Sequence, residues 1–341
     1  MSTDTRWLDQ AVDAALHGPA VDPNPRVGCL VVAADGTVVG RGHHQGAGSP
    51  HAEAVALAAA GDRARGATAY VTLEPCNHHG RTGPCTHALR DAGVERVVFA
   101  VPDPTPQAAG GADWLRDHGI AVEQHPHRDA EALVADWTVA ARLGRPVVVW
   151  KAATTLDGRV AAADGSSRWI TSAEARADAH LLRARVGAVV VGTGTALRDD
   201  PSLTARTAEG ELLHLRTSEP RQVLAELARR GVHRVLLEGG PTLAAAFWRA
   251  GCVDEVLVYL APALLGAGPA GVGDLGIASI EDVARLDLVD VTRVGPDLRL
   301  SLVPQAPPRE RGARSTPSVG HARPAPPTTT DQRTLAPSPT P

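Results

Sequence analysis

The sequence predicts an α/β protein of two domains followed by a tail. Apolar runs typical of strands alternate with helical patterns along most of the chain, which is the arrangement of α/β domains. The chain has 341 residues, which is more than a single domain with one hydrophobic core usually contains. A helical run ends at Gly144, and a new buried strand begins at Val147. We therefore expect domains over residues 1–144 and 145–303 and a tail over residues 304–341.

The elements of the first domain follow from local patterns. Residues 27–39 hold two apolar runs around Asp35-Gly36, which predicts a β-hairpin. The alanine-rich run 52–60 predicts a helix, and the β-branched run 68–73 predicts a buried strand. Residues 129–143 predict the helix that ends the domain.

The second domain repeats this alternation. Its strands are predicted over residues 147–150, 188–191, 233–237 and 254–260, and its helices over residues 172–185, 220–230 and 242–250. The tail is rich in proline, threonine, serine and arginine and has few apolar side chains. Because such a segment cannot bury enough surface to offset the entropy of ordering, we expect it to be disordered.

Composition and charge argue against several classes of protein. The net charge of −4 and the aromatic content of 3% give neither the basic signature nor the stacking side chains of nucleic-acid-binding proteins. No apolar stretch approaches membrane-spanning length, and the N-terminus is polar, so neither a membrane partner nor a signal peptide is expected. Four cysteines in a chain of this length indicate a reduced, cytoplasmic protein.

One group of motifs points to chemistry. His51-Ala52-Glu53 precedes Pro75-Cys76 and then Cys85. One imidazole and two thiolates are three zinc ligands, and three protein ligands leave the fourth tetrahedral position open for water. Glu53 can move protons for that water, as in zinc deaminases. Because a helix start at His51 and a strand end before Cys76 would meet at one edge of a sheet, we expect a deaminase site there.

The same residues are also compatible with roles other than a deaminase site. Cys76 and Cys85 could form a disulfide or simply be small buried side chains. A closed structural zinc site would take a fourth ligand from His78, His79 or His87, and the chain would then be an interaction protein whose tail recruits partners. A nucleic-acid deaminase is a further alternative, which the charge and the aromatic content disfavour.

Further motifs surround the zinc residues. Asn24-Pro25-Arg26-Val27-Gly28 and His44 precede them, Glu74 adjoins Pro75-Cys76, and eight residues separate the two cysteines. Together these motifs resemble the deaminase half of the bifunctional riboflavin-biosynthesis deaminase/reductases. The resemblance covers most of residues 5–303 and continues through Asp103-Pro104-Thr105-Pro106, Lys151, Leu156-Asp157-Gly158-Arg159, Trp169-Ile170-Thr171-Ser172 and Glu238-Gly239-Gly240-Pro241-Thr242.

For the first half, the resemblance implies a cytidine-deaminase-like domain of three layers. Its substrate would be 2,5-diamino-6-(5-phosphoribosylamino)pyrimidin-4(3H)-one, deaminated by a zinc-activated water with Glu53 as base and then acid. Asn24 and His44 would hold the pyrimidine, and His78 and Arg81 would meet the ribose phosphate.

For the second half, the resemblance implies a dihydrofolate-reductase-like domain that uses NADPH to reduce the ribosyl group to ribityl. The implied NADPH contacts are Thr154, Trp169, Thr195, Asp199, Gly240, Pro241 and Thr242. The implied substrate contacts are Lys151, Ser167, Arg183, Leu203, Arg206 and Glu238. Lys151 is also the only lysine among 34 basic side chains, which hints that its position needs an ammonium that can lose its proton.

The second half departs from the family after Arg206. Few residues lie between Arg206 and the helix predicted from residue 220, where the family has a further strand and part of the NADPH site. The domain is therefore predicted to be shortened. It could be a compact active reductase, an inactive scaffold behind a monofunctional deaminase, or the product of a truncated gene. The family also implies a homo-oligomer formed through this domain.

Overall fold

Two β-sheets with helices on both faces make up most of the described part of the chain. The computed structural model describes residues 2–78, 83–105, 108–192 and 219–305. Residues 1–307 belong to one compact unit, and the predicted boundary at residue 144 lies between two elements of that unit. Within the described ranges, no helix combines the length and the apolar character that crossing a membrane requires.

The first sheet has five strands in the order β2-β1-β3-β4-β5. They are β1 (Gly28–Val32), β2 (Val38–His43), β3 (Thr68–Leu73), β4 (Arg96–Val101) and β5 (Ala121–Gln124). β1 is antiparallel to β2 and β3, whereas β3, β4 and β5 are parallel. The carboxyl ends of β3 and β4 therefore lie side by side.

Five helices cover this sheet. They are α1 (Thr3–Ala15), α2 (Ala52–Ala60), α3 (Cys85–Asp91), α4 (Gly111–Asp117) and α5 (Arg128–Leu143), with a 3-10 turn at Gly61–Ala64 after α2. Side chains alternate along β1, so that Leu30 packs with α1 and α5 while Val31 packs with α2. Leu89 and Leu115 bring α3 and α4 to the same face as α2. The result is the predicted arrangement of three layers.

The second sheet has six strands in the order β10-β11-β9-β6-β8-β7. They are β6 (Val147–Thr155), β7 (Ala188–Val190), β8 (Arg234–Leu237), β9 (Glu255–Ala261), β10 (Leu286–Val294) and β11 (Asp297–Pro304). The four strands β6 to β9 are parallel, and β10 and β11 complete the sheet in antiparallel register.

Three described helices cover the second sheet, and a 3-10 turn lies at Ile280–Asp282. They are α6 (Ala173–Arg183), α7 (Pro220–Arg229) and α8 (Pro241–Arg249). Leu224 of α7 and Phe247 of α8 are buried with Leu237 of β8 on one face. α6 packs on the other face, where the Tyr259 hydroxyl donates a 2.6 Å hydrogen bond to Asp178.

The two halves are held together by polar contacts. The Arg234 guanidinium donates hydrogen bonds of 2.5 Å to Asp136 of α5 and to Glu255 of β9. His233 Nε2 lies 2.5 Å from the Pro23 carbonyl oxygen, in the loop before β1. The turn between α7 and β8 therefore contacts the loop that carries Asn24.

The strands and helices predicted from the sequence are confirmed to within a few residues. α1, α3, α4, β4, β5 and the β10–β11 hairpin were not predicted. α3 and α4 have seven residues each, too few to display a helical period. In β10 the register shifts between Leu288 and Asp290, which interrupts the alternation expected of a strand. Residues 304–305 end the described chain, and most of the predicted tail lies outside the described residues.

Candidate active sites

Three ligand-type side chains meet at the carboxyl edge of the first sheet. His51 directly precedes α2, Cys76 follows β3, and Cys85 is the first residue of α3. His51 Nδ1 lies 3.3 Å from Cys85 Sγ and 3.5 Å from Cys76 Sγ. A tetrahedral zinc ion with ordinary bond lengths separates its nitrogen and sulfur ligands by about 3.6 Å. The donor atoms therefore fit zinc in both type and spacing.

The two thiols differ in acidity. The contact with Cys85 lowers the pKa of Cys76, while the same contact and burial raise the pKa of Cys85. Cysteine binds zinc as the thiolate, so zinc binding would release protons from this pair. Both cysteines are free thiols, which does not support the disulfide alternative.

The described residues add no fourth histidine to this group of ligand atoms, although His78 lines the cavity beside it. In the described part of the chain, the group of ligand atoms at this point comprises His51, Cys76 and Cys85, all within 4.8 Å of one another. The His87 ring instead stacks on Trp114, with 4.6 Å between centroids. His79 lies outside the described residues.

Glu53 is the second residue of α2 and is only 4% exposed. Burial, aided by the negative charge of Cys76, raises the pKa of its carboxyl to about 7. A carboxyl group with a pKa near neutrality accepts and returns a proton readily at physiological pH. Its position beside the three ligand atoms suits it to proton transfer.

A cavity of about 170 Å³, here called the inner cavity, opens beside these residues. Its wall includes Asn24, His44, Glu53, Cys76, His78 and Asp103. The Asn24 amide lies 3.0 Å from His44 Nε2, and His44 Nδ1 lies 3.3 Å from the Pro50 carbonyl oxygen. If Nδ1 carries the proton, Asn24 donates to Nε2, so each ring nitrogen has a partner. The structure thus brings three of the four predicted substrate residues to one cavity, and Arg81 lies outside the described residues.

A larger cavity of about 440 Å³, here called the outer cavity, adjoins the inner one. Asn24, His51 and His78 belong to the walls of both cavities. Residues 228–231, at the end of α7 in the second half, form part of the wall of the outer cavity. No sequence pattern linked these residues to the zinc motif, since about 150 positions separate them from it.

Two residues that position the site were missed by sequence reasoning. The Glu74 carboxylate accepts hydrogen bonds from the backbone N–H groups of Ala112 (2.9 Å) and Asp103 (3.1 Å). It thereby joins the end of β3 to the start of α4 and to the loop after β4. Gly111 lies against the Pro75 carbonyl oxygen so closely that an added Cβ would overlap it. An acidic residue before Pro-Cys and a Gly-Gly pair are weak signals that could have pointed to them.

Replacing Gly111 with alanine is expected to displace Pro75 and hence Cys76. We expect zinc affinity to fall about tenfold or more, because misplacing supporting residues has this effect at metal sites. The free energy of unfolding should fall by about 1–3 kcal/mol because of the overlap. A competition titration with a chromogenic chelator measures the affinity. Gly83→Ala is the matched control, since a Cβ there meets none of the described residues within 4 Å.

In the second half, predicted site residues gather at the carboxyl end of β8, beside the middle of β6. Arg183, at the end of α6, donates hydrogen bonds of 2.6 to 3.1 Å to both carboxylate oxygens of Glu238. Lys151 lies on β6, where burial lowers its pKa and the charge of Glu238 opposes that shift. These three predicted substrate residues form one charged group, whereas Ser167 is exposed on a separate loop.

The predicted NADPH residues lie beside this group. Thr154 is buried near the end of β6, and Gly240 is the N-cap of α8 with Pro241 and Thr242 in its first turn. Among the described residues no side chain caps this helix; Pro241 has no N–H and the Leu243 N–H donates to the Gly240 carbonyl, so the Thr242 N–H is the one of these first three positions that can meet a phosphate. Trp169 is 67% exposed, with the Arg176 guanidinium 4.4 Å from its ring centroid. Thr195, Asp199, Leu203 and Arg206 lie outside the described residues.

A glycine-rich loop over residues 266–273 is a further part of this region that sequence reasoning missed. Gly271 and Gly273 are in close contact with Thr154 and with the Pro241 backbone, respectively. The Gly273 N–H also donates a hydrogen bond of 3.1 Å to the Pro241 carbonyl. The spacing of its glycines could have indicated a backbone that approaches a ligand.

Comparison with known proteins places this geometry in a family. The chain is 45% identical over 331 residues to the riboflavin biosynthesis protein RibD of Mycobacterium tuberculosis, an alignment that covers 87% of this chain and 97% of the relative. This chain belongs to the RibD family. The RibD of Escherichia coli is 38% identical over 364 aligned positions that cover 88% of this chain and 99% of the relative. As a member, the chain is a bifunctional deaminase and reductase of riboflavin biosynthesis.

Family models and solved structures agree with this assignment. The cytidine and deoxycytidylate deaminase zinc-binding region matches residues 1–101, and the RibD C-terminal domain matches residues 146–221 and 212–300. These two regions indicate Zn²⁺ and NADPH as the cofactors. Acinetobacter baumannii RibD, form 1, has a TM-score of 0.76 at 37% identity and covers 89% of this chain and 99% of its own.

The RibD C-terminal domain matches this chain in two segments rather than in one, and the segments meet at residues 212–221. This division falls in the interval where the sequence predicts a shortened domain. Residues 193–218 lie outside the described residues, so the shortening itself stays a prediction.

Proposed function

We propose that residues 1–144 deaminate 2,5-diamino-6-(5-phosphoribosylamino)pyrimidin-4(3H)-one and that residues 145–303 reduce the product with NADPH. A solved structure from Thermotoga maritima carries the name diaminohydroxyphosphoribosylaminopyrimidine deaminase/5-amino-6-(5-phosphoribosylamino)uracil reductase. It is 29% identical to this chain with a TM-score of 0.74, covering 89% of this chain and 99% of its own. The observation that carries the proposal is the buried Glu53 beside His51, Cys76 and Cys85.

In the deaminase half, His51, Cys76 and Cys85 would hold zinc. Zinc bound there supplies the Lewis acidity that activates a water molecule near neutral pH. Glu53 takes a proton from that water and returns it to the departing amine, so that water and a C–NH₂ group become a C=O group and ammonia. Asn24 and His44 would orient the ring, because both line the inner cavity and a hydrogen bond between them fixes their positions.

In the reductase half, the charged group at the sheet edge would hold the substrate. NADPH, bound beside this charged group, would supply the hydride that converts the ribosyl group to ribityl. The reduction also consumes one proton, and Lys151, whose pKa burial lowers, is placed to provide it. Glu238 holds Arg183 through Nε and Nη2, and the Nη1 N–H groups of the guanidinium can donate to a phosphate.

Assaying both half-reactions on the purified protein tests this proposal. We expect ammonia release from the aminopyrimidine, and NADPH consumption when the deaminated product is supplied. Ammonia release without NADPH consumption would favour the monofunctional deaminase. A zinc ion with four protein ligands and no ammonia release would favour the structural-zinc protein, and X-ray absorption at the zinc edge separates these ligand sets.

Replacing Glu238 with glutamine keeps the shape of the side chain but removes the anionic partner of Arg183. We expect the free energy of unfolding to fall by about 1–3 kcal/mol, since both groups are largely buried. NADPH consumption should fall, and ammonia release should not change. Denaturant unfolding followed by circular dichroism measures this loss of stability. Glu281→Gln, at an exposed position, is the control.

We further propose that the protein is cytoplasmic and acts on this small molecule without a nucleic-acid or membrane partner. A homo-oligomer through the second half is supported by apolar side chains exposed on the edge strand β10, among them Leu288, Val289 and Val291. Sedimentation velocity measures the oligomeric state.

A further inference from the structure

We infer that His233 of the reductase half is a positioning residue of the deaminase site, because it fixes the peptide group that carries Asn24. This inference rests on the proposed function, in which Asn24 orients the ring of the aminopyrimidine. It gives a side chain of the second half a role in aligning the substrate of the first half, although His233 itself lines neither cavity.

The peptide group between Pro23 and Asn24 is held from both halves of the chain. Its oxygen lies 2.5 Å from His233 Nε2, and its N–H donates a hydrogen bond of 2.8 Å to Asp22 Oδ1. A carbonyl oxygen only accepts, so the imidazole is the donor and carries a proton on Nε2. Because a peptide group is planar, hydrogen bonds at its two opposite edges fix its orientation and the position of the next Cα atom. That Cα atom belongs to Asn24.

The chain around Asn24 is stiff, so the orientation of this peptide group is passed on to the side chain. Asn24 lies between two prolines, and each proline ring fixes its own φ angle. Pro25 also disfavours a helical backbone at Asn24. Few dihedral angles are therefore left to absorb a rotation of the peptide group. The Asn24 amide that depends on it lies 3.0 Å from His44 Nε2, at the wall of the inner cavity.

His233 is itself anchored in the second half. Its carbonyl oxygen accepts a hydrogen bond of 2.8 Å from the Val147 N–H, at the start of β6. Gly231, two residues earlier, has a φ of +74° and packs directly on the Pro23 ring, where an added Cβ would overlap it. The imidazole therefore meets the Pro23 carbonyl from a fixed position, and the second sheet sets the place of the loop before β1.

Replacing His233 with alanine removes the donor and leaves every residue of both cavities unchanged. We expect kcat/KM for ammonia release to fall about tenfold or more, because a misplacement of about 1 Å can cost a factor of about 10². NADPH consumption on supplied product should not change. His233→Gln should restore most of the loss, because its amide nitrogen can donate from the place of Nε2. His180→Ala, at an exposed position of the same half, is the matched control.

A double-mutant cycle with Asn24→Ala separates positioning from general damage to the fold. If His233 acts through Asn24, His233→Ala should cause no further loss in a protein that already lacks the Asn24 side chain. Losses that multiply in the double variant would show that His233 acts by another route, and they overturn the inference. An unchanged rate in His233→Ala overturns it as well, and so does a loss that His233→Gln fails to restore.

The side-chain amide of Asn24 allows a measurement that does not depend on activity. The chain contains two asparagines, Asn24 and Asn77, so NMR of protein made with 15N-labelled asparagine shows two side-chain amide groups, which Asn24→Ala assigns. In His233→Ala we expect the Asn24 signals to shift while those of Asn77 stay in place. If the wild-type protein releases no ammonia, the proposed function fails, and the Asn24 signals still decide whether His233 positions this residue. If it releases ammonia and the Asn24 signals do not shift, the inference alone fails.

Discussion

Replacing Glu53 with glutamine is expected to reduce the rate of ammonia release by a factor of about 10² to 10⁴, the usual contribution of a general acid–base group. The amide occupies the same buried space but cannot take up the proton of the attacking water. Zinc content should remain unchanged, because Glu53 does not belong to the three ligand-type residues. Ammonia release is followed in a coupled assay, and zinc is measured by atomic emission.

Glu131→Gln provides the control, since that glutamate is exposed on α5. It should match the wild type in both measurements. A Glu53→Gln protein that retains zinc and releases ammonia at the wild-type rate would show that another group moves the proton. NADPH consumption on supplied product should be normal in both variants, because Glu53 lies in the other half.

Replacing Cys85 with serine is expected to weaken zinc binding by more than about a hundredfold, which exceeds the usual effect of changing a supporting residue. A hydroxyl is a poor substitute for a thiolate as a zinc ligand, and Cys85 supplies one of three donor atoms. Ammonia release should be lost together with the metal. NADPH consumption on supplied product should persist, since the second half has its own core.

Cys252 offers a matched control for this experiment. It is a buried thiol of the second half, and its Sγ lies 3.5 Å from the Ala250 carbonyl. Cys252→Ala should retain one zinc per chain and release ammonia normally. If Cys85→Ser also retains a full equivalent of zinc, the metal has ligands other than the three proposed, and the structural-zinc alternative gains support.

The convergence of His51 and Cys76 could be predicted because each stands next to a locally coded element, whereas Cys85, at the start of the unpredicted α3, was included because of its place in the motif. The alanine-rich run after His51 specifies α2, and the β-branched run before Cys76 specifies β3. A helix start and a strand end on the same sheet edge then bring the side chains together. No knowledge of distant residues was needed.

The remaining parts of the site depend on contacts that local sequence does not encode. Glu74 matters because it reaches Ala112, which is 38 residues away. Gly111 matters because the Pro75 carbonyl comes to lie against it. Arg229 reaches the outer cavity only after both halves have packed together. These contacts form only when the chain has folded, and no periodic pattern in a single sequence predicts them.

The contact between Gly231 and Pro23 shows that the two halves are more than two enzymes joined by a linker. A linker that only tethers two catalysts could be cut without altering either active site. Here a separation at residue 144 would strip the outer cavity of residues 228–231 and leave the loop before β1 without its neighbour. A separately produced first half would therefore lack part of the surface beside its own active site, and joining the two halves in one chain keeps that surface in place.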